Sequence, residues 1–517
     1  MRTAVVISFD SLHLGYLAPY GNDWVETPHL NQLAAAGIVF DQHFADRLEK
    51  AQLGLSWWQT TPNDGSGPSS LHGDQLADRL RSLGVRSRLI IEQTTGEDAR
   101  PVSGWDQIIP VMIEDREWAE DRDFPFARLI ARAIEEWQTN GPRSEQNDKA
   151  EQKDQPHLFW IQSRGVPSPW VPPPEISDLY FSEFDLVEDE VTTPDSRPLG
   201  VREMQRLAAL EEAEALDELD DLEDAESNRG GMDEESDIGW LEYEQEESTG
   251  ALTADGDASQ TLPDPDQISE TGEESNEKES EAELALRYGR ALYAAYVTFL
   301  DLWMGKLLTA VRNSVPEGEL LLIVTAASGQ SLGEHAPLGE EPAFLHEERI
   351  HLPLIVLGGA ADQRATRRSA LTTPADIPAT LSDWFGGANR FGAGQSLLPV
   401  PAGTESDLRT FCLIEQSGLG RAVRTADAFL TESHELWNAA PRESRKSASA
   451  SVRIQMESER EAEAAAEGNI AAVHRRQLYI KPHDRFEFAN IIDQEIDIAE
   501  ELGQHLSARD GVQTPPA

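Results

Sequence analysis

Five short, mainly apolar runs punctuate the chain, at 4–9, 88–91, 158–162, 319–325 and 353–357. Runs that carry apolar side chains on both alternations suit strands covered on both faces. Between them the apolar residues recur at helical spacing, at 28–37, 73–84, 124–137 and 288–315. Strand and helix alternation of this kind predicts a mostly parallel central sheet with helices on both faces. No internal repeat interrupts it at any period.

Polar stretches divide that pattern. Residues 181–285 hold 36 Asp plus Glu and 5 Lys plus Arg, a local charge of −31 (5 minus 36) within a chain total of −51, which leaves −20 for the remainder. No aromatic residue falls between Asp185 and Gly239, and the apolar groups are too few to offset the entropy of ordering. An exposed helix is expected over 201–226 and disorder over 227–281. Smaller polar linkers occupy 140–156 and 442–468. The predicted organisation is a first α/β part at 1–180, an acidic, largely disordered insertion at 181–285, a second α/β part at 286–402 and a small C-terminal α+β subdomain at 403–517.

Charge also limits the partners. A chain with 94 acidic and 43 basic side chains lacks the positive face that nucleic acid or an anionic membrane demands. No partner of either kind is therefore expected, and a protein partner docking on the acidic insertion at 200–284 is. Cys412 is the only cysteine, which excludes an intramolecular disulfide framework and a cysteine zinc site. An apolar strand begins almost at residue one, with no leader pattern ahead of it, and the expected location is cytoplasmic.

Several segments carry a family resemblance. VISFDSLHLGYLAPYGNDWVETPHLNQLAAAGIVFDQHFA, at 6–45, resembles the opening of sulfatases of the alkaline phosphatase superfamily. The likeness returns in order at Leu76-Ala77-Asp78-Arg79-Leu80, at Gly104-Trp105-Asp106, at 157–173, at 293–308, at LLIVTAASGQSLGEHAPL (321–338), at FLHEERIHLPLIVL (344–357) and at TPADIPATLSDWF (373–385). Arg421-Ala422-Val423-Arg424 and Gln477-Leu478-Tyr479 are similar to its small sheet subdomain. The resemblance implies an alkaline phosphatase-like α/β fold. It also implies a hydrolase in which a divalent cation, usually calcium, is held by oxygen ligands from two adjacent Asp after the first strand and an Asp with a polar partner after a later one. That cation activates a formylglycine, and Lys and His side chains clamp the sulfate; bringing an anionic nucleophile to an anionic ester needs such concentrated positive charge.

Laid on this sequence, the pattern is mostly lost. Asp10 matches the first metal position, but Ser11 replaces its neighbour. The nucleophile position falls on Lys50, which cannot become formylglycine, and the Arg of that motif on Gly54. The substrate Lys falls on Glu92 and the His two residues later on Thr94. The later Asp-His pair falls on Ala327 and Ser328, and the Lys after it on Glu340. Leu332-Gly333-Glu334-His335 is kept. Of nine site positions only Asp10 survives, and two lysines have become glutamates. No resident cofactor is expected, with calcium or magnesium the ion if the site retains any. The reading is a sulfatase-like protein that is catalytically inactive and acts by binding. The alternative is an active sulfate- or phosphate-ester hydrolase with a relocated metal site, for which Asp46 and Glu49 are the other nearby carboxylates.

Plainer roles compete at several residues. Asp10 is preferred as a strand-end carboxylate capping the next turn rather than as a ligand. Lys50 is preferred as an ion-pair partner rather than as a replacement for lost metal charge. Trp57-Trp58 reads as packing before it reads as a cleft lining. His346 and His351 imitate a zinc helix motif, but five residues apart they diverge by ~140° on a helix and face opposite ways on a strand.

Overall fold

The computed structural model describes residues 2–48, 55–58, 75–94, 102–113, 120–142, 155–166, 170–181, 281–336, 338, 342, 344–358, 365–398, 408–416, 419–433 and 475–510. The chain divides into two units, Met1–Gln205 with Ala285–Ala517, and Arg206–Leu284. Residues 182–280, with nearly all of the acidic segment, lie outside the described residues, as does the linker at 442–468.

Eight strands form the main sheet: β1 (Thr3–Ser11), β2 (Ile38–His43), β3 (Arg86–Gln93), β4 (Gln107–Met112), β5 (His157–Gly165), β6 (Leu320–Ser328), β7 (Leu354–Leu357) and β8 (Thr366–Thr372). Their order is β4-β3-β5-β1-β6-β7-β2-β8, and only β7 runs against the others. The expected mostly parallel sheet is thus observed. β1, β5 and β6, each with an apolar run of at least four residues, occupy its centre, where both faces must be covered.

Alternate residues serve the two faces. Val5, Ile7 and Phe9 join Phe159, Ile161, Leu322 and Val324 in one core, while Ala4 and Val6 join Leu158, Trp160, Leu321 and Ile323 in the other. Helices α1 (Pro28–Ala36), α4 (Pro125–Asn140), α5 (Pro174–Phe181) and α6 (Glu281–Ser314) contribute to the first core. The second takes α2 (Leu55–Trp58), α3 (Leu76–Ser82) and α8 (Asp376–Trp384); the one-turn α7 (Glu347–Ile350) precedes β7. Among the described helices α6 is long and apolar enough to cross a membrane, but its buried Tyr293, Tyr296, Phe299 and Met304 are used in the core. It also supplies a cap in trans: the Asp301 carboxylate accepts from His29 N (3.0 Å) and Leu30 N (2.8 Å), serving the α1 amides that Thr27 leaves uncapped.

Beyond the two-residue hairpin β9 (Arg390–Phe391) and β10 (Gly394–Gln395) lies an antiparallel sheet of β11 (Phe411–Gln416), β12 (Gly420–Thr425), β13 (Ala428–Ser433) and β14 (Arg475–Ile480). One face buries Cys412, Ile414, Ala422 and Phe429 against Phe44, Ile350 and Leu371, and the other receives Leu502 and Leu506 of α9 (Ile496–Asp510). Asp376, fully buried at the start of α8, binds both terminal nitrogens of Arg409 at 2.6 Å just before β11. The small C-terminal α+β subdomain is therefore present and docked on the main sheet.

Candidate functional site at the strand ends

Strands β1, β3, β5 and β6 all end on the same side, the edge of a parallel sheet where loops gather and ligands bind in open α/β folds. Register brings the site residues together. Ser8 lies beside Gln162, and Ser11 lies between Gly165 and Ser328. β5 leaves the sheet at Gly165, whose φ is +79° and whose bare Cα lies close against the Ser11 carbonyl.

Asp10 is buried at the end of β1. The turn after β1 is capped by His13, whose Nδ1 accepts from Gly15 N at 2.9 Å. The Asp10 carboxylate accepts from the Gln162 amide at 2.5 Å. That amide is oriented from below: Trp160 Nε1 donates to Ser8 Oγ (2.7 Å), and Ser8 Oγ donates to Gln162 Oε1, so Nε2 faces Asp10. Nothing in a single sequence marks Gln162 as a site residue; only the β1–β5 register does.

The other strand ends are closed by their own backbone. Ser328 Oγ donates to the Asp10 carbonyl (2.9 Å), and Ser11 Oγ donates to the Gly329 carbonyl (3.1 Å). Ala327 contributes only apolar surface to the second core. Calcium or magnesium requires several converging oxygen ligands. Here one carboxylate is tied to an amide donor and both serine hydroxyls are directed at carbonyls, so these residues do not fit the family's ion. Lys50, Glu49, Gly54 and Glu340 lie outside the described residues, and Thr94 sits half-buried just past β3.

Glu92 is the second carboxylate of the site. Its Oε2 accepts from Ser163 Oγ (3.0 Å) and from Arg164 N (2.6 Å). Burial pushes its pKa up to about 7; those two hydrogen bonds hold it down in part, and the nearby Asp10 charge raises it. The folded chain holds more protons here than the unfolded chain between about pH 4.5 and 7, so stability falls as pH rises across that window. Glu92→Gln can place one carbonyl oxygen where Oε2 accepts both bonds. It is expected to flatten that slope and to gain up to about 3 kcal/mol relative to wild type above pH 7. Urea midpoints at pH 5 and pH 8 check this; parallel shifts of both proteins would show that Glu92 is not the titrating group.

The retained Glu334 and His335 have structural partners. Glu334 Oε1 sits 3.3 Å from His13 Nε2, its Oε2 accepts from Leu332 N (2.6 Å), and His13 N donates to the Tyr293 hydroxyl (2.8 Å). Burial alone would raise the Glu334 pKa, but His13 and the Leu332 amide bring it below the usual carboxylate value. His335 stacks on His346 with ring centroids 3.7 Å apart and planes within 1°. Around this pair stand Glu348 and Glu487, and one donor atom from each of the four residues lies within 4.8 Å of the others. His346 therefore meets His335, not His351, whose Nε2 donates to the Asp41 carbonyl (2.8 Å).

Trp57 and Trp58 are packing residues. Both are buried, with ring centroids 5.8 and 5.9 Å from Trp160, and Trp105 completes the cluster.

Three kinds of likeness accompany this geometry. A family profile described as Sulfatase matches residues 2–388. The multifunctional alkaline phosphatase superfamily protein PehA of Trinickia caryophylli is 29% identical over 128 residues, 24% of either chain, so the match spans about a quarter of that relative's length. Among solved structures, the phosphonate monoester hydrolase of Agrobacterium radiobacter superposes with a TM-score of 0.60 at 15% identity, covering 99% of this chain and 95% of that one. BT4656, solved in complex with its substrate D-glucosamine-2-N,6-O-disulfate, gives 0.59 at 14% identity over 99% and 97%. These structures establish the shared fold. With most of its length matched by the family profile, the chain belongs to the sulfatase family.

Proposed function

We propose that this sulfatase-family protein does not hydrolyse sulfate or phosphate esters and acts by binding, with neutral or cationic groups preferred at the strand-end site. The observation that carries the reading is the state of Asp10. The family's remaining ligand position is held by the Gln162 amide, while Ser11 and Ser328 are turned to backbone carbonyls and Ala327 offers no donor. Asp10 and Glu92 place carboxylates where an anionic ester would have to sit, and like charge disfavours it. The acidic segment at 200–284 is the candidate docking region for a protein partner, its charge favouring a basic one.

Purified full chain, assayed with an aryl sulfate, an aryl phosphate and an aryl phosphonate monoester in millimolar calcium, magnesium or manganese, is expected to match the buffer rate. Turnover that disappears in Asp10→Ala would establish the alternative, an active hydrolase with a relocated metal.

A further inference from the structure

We propose that His335, His346, Glu348 and Glu487 form a binding site for one divalent transition ion of the zinc type, clasping the loop after β14 to the loop after β6. The site is separate from the strand-end residues above, and it stands or falls independently of the inactivity of that site.

The argument begins with His335. Its Nδ1 lies 3.0 and 3.1 Å from the two Glu348 oxygens, and its Nε2 lies 3.1 Å from the Phe486 carbonyl. Both ring nitrogens thus face acceptors, yet a neutral imidazole carries one N–H. No neutral tautomer satisfies both contacts, so the position demands a cation, either a second proton on the ring or a metal ion at Nδ1. The surrounding charge makes the same demand. Glu347 and Glu487 face Arg424 and Lys481, with Arg424 Nε 2.7 Å from Glu347 and Lys481 Nζ 3.0 Å from Glu487. Glu348 in turn faces His335, and a buried carboxylate demands such a partner.

The arrangement favours a metal over a proton. Imidazole and carboxylate together are a donor set for zinc and its neighbours. Three of the donors come from the segment between β6 and β7 and the fourth from beyond β14, and Glu487 and His346 are buried, with Glu487 Oε2 2.6 Å from His346 Nδ1. The Phe486 carbonyl takes the Nε2–H of His335 and leaves the Nδ1 lone pair to the cluster, the outer-shell arrangement that orients a metal-bound histidine. Tetrahedral zinc with bonds of ~2.0–2.2 Å needs donors roughly 3.3 Å apart. Binding therefore draws in a spread of 4.8 Å and opens the ring stack so that both Nδ1 lone pairs converge. The Nδ1 protons displaced by the ion leave to solvent.

The test uses the full chain, stripped with a chelator and titrated with Zn²⁺ or with Co²⁺ as a spectroscopic reporter. The expected result is one equivalent of zinc retained after dialysis, visible Co²⁺ bands indicating nitrogen and oxygen ligands, and a zinc-dependent rise in Tm. His335→Gln and His346→Gln are each expected to weaken zinc binding by ~100-fold or more, since even an outer-shell loss costs about 10–100-fold. Asp10→Asn should bind as wild type does. Wild-type protein that retains no zinc and whose His335 ring is doubly protonated by nitrogen NMR would overturn the proposal in favour of an imidazolium. Stoichiometric zinc kept by both histidine variants, or lost in Asp10→Asn, would overturn it as well. Should a histidine variant fail to fold, the wild-type stoichiometry and cobalt spectrum still decide.

Discussion

Gly165→Ala is expected to cost ~4 kcal/mol or more, the range in which single substitutions point to a specific structural conflict. Gly165 has a φ of +79°, and a left-handed backbone costs an L-residue about 1–2 kcal/mol by itself. The larger share is steric, since an added Cβ would lie 1.9 Å from the Ser11 carbonyl oxygen, a backbone atom that moves only if β1 moves. β1 is the central strand, held by β5 on one side and β6 on the other, so the overlap cannot be relieved at a free edge. Gly84→Ala provides the comparison. Gly84 has a similar φ of +73° but nothing within 4 Å of an added Cβ, so it should cost only the backbone share. Urea unfolding of both variants checks the pair; equal losses would mean that the β1–β5 approach is looser than the geometry states.

Asp376→Ala is expected to destabilise by about 3–5 kcal/mol, the cost of stranding one member of a buried ion pair. Asp376 accepts from both Arg409 nitrogens, from Thr373 N (2.8 Å) and from Gln395 N (2.9 Å). Removing it leaves the guanidinium and two backbone amides without this acceptor. Asp376→Asn keeps part of the amide bonding and should lose less. Combining Asp376→Ala with Arg409→Met should recover part of the loss, because the stranded charge goes with the arginine. Denaturant midpoints for the three variants decide, and additive losses would place the cost in packing. Since Arg409 lies just before β11, this pair also joins α8 to the C-terminal sheet.

The fold was legible where burial is complete. β1, β5 and β6 are covered on both faces and each carries an apolar run of four or more residues. The strands that sequence patterning misses lie away from the centre: β4 with Pro110 inside it, β2 with Asp41 and Gln42, and β8 with Arg367 and Arg368. β4 and β8 are the sheet edges, where apolar continuity is not needed and a proline is permitted, and β2, paired with β7 and β8, lies next to the edge with Asp41 and Gln42 half-buried. The site was legible only by what it lacks. Asp10, Ser11, Glu92, Ala327 and Ser328 do gather at the strand ends, but their bonding depends on register. Gln162 is joined to Asp10 across 152 positions of sequence, and His346 to Glu487 across 141. The HEERIH segment misleads for the same reason, since the partner of His346 is the histidine of the LGEH loop.

The order of the main sheet also bears on how the protein is made. β1 is the first strand to be synthesised, yet its two neighbours begin at His157 and Leu320. At translation rates of ~5–20 residues per second, roughly 310 residues separate β1 from its second neighbour, an interval of about 15–60 s. Throughout it the run Ala4-Val5-Val6-Ile7 remains a strand without both partners, the kind of segment on which nascent chains associate. Protection of one four-residue stretch during synthesis thus becomes a determinant of yield, independent of how stable the finished sheet is.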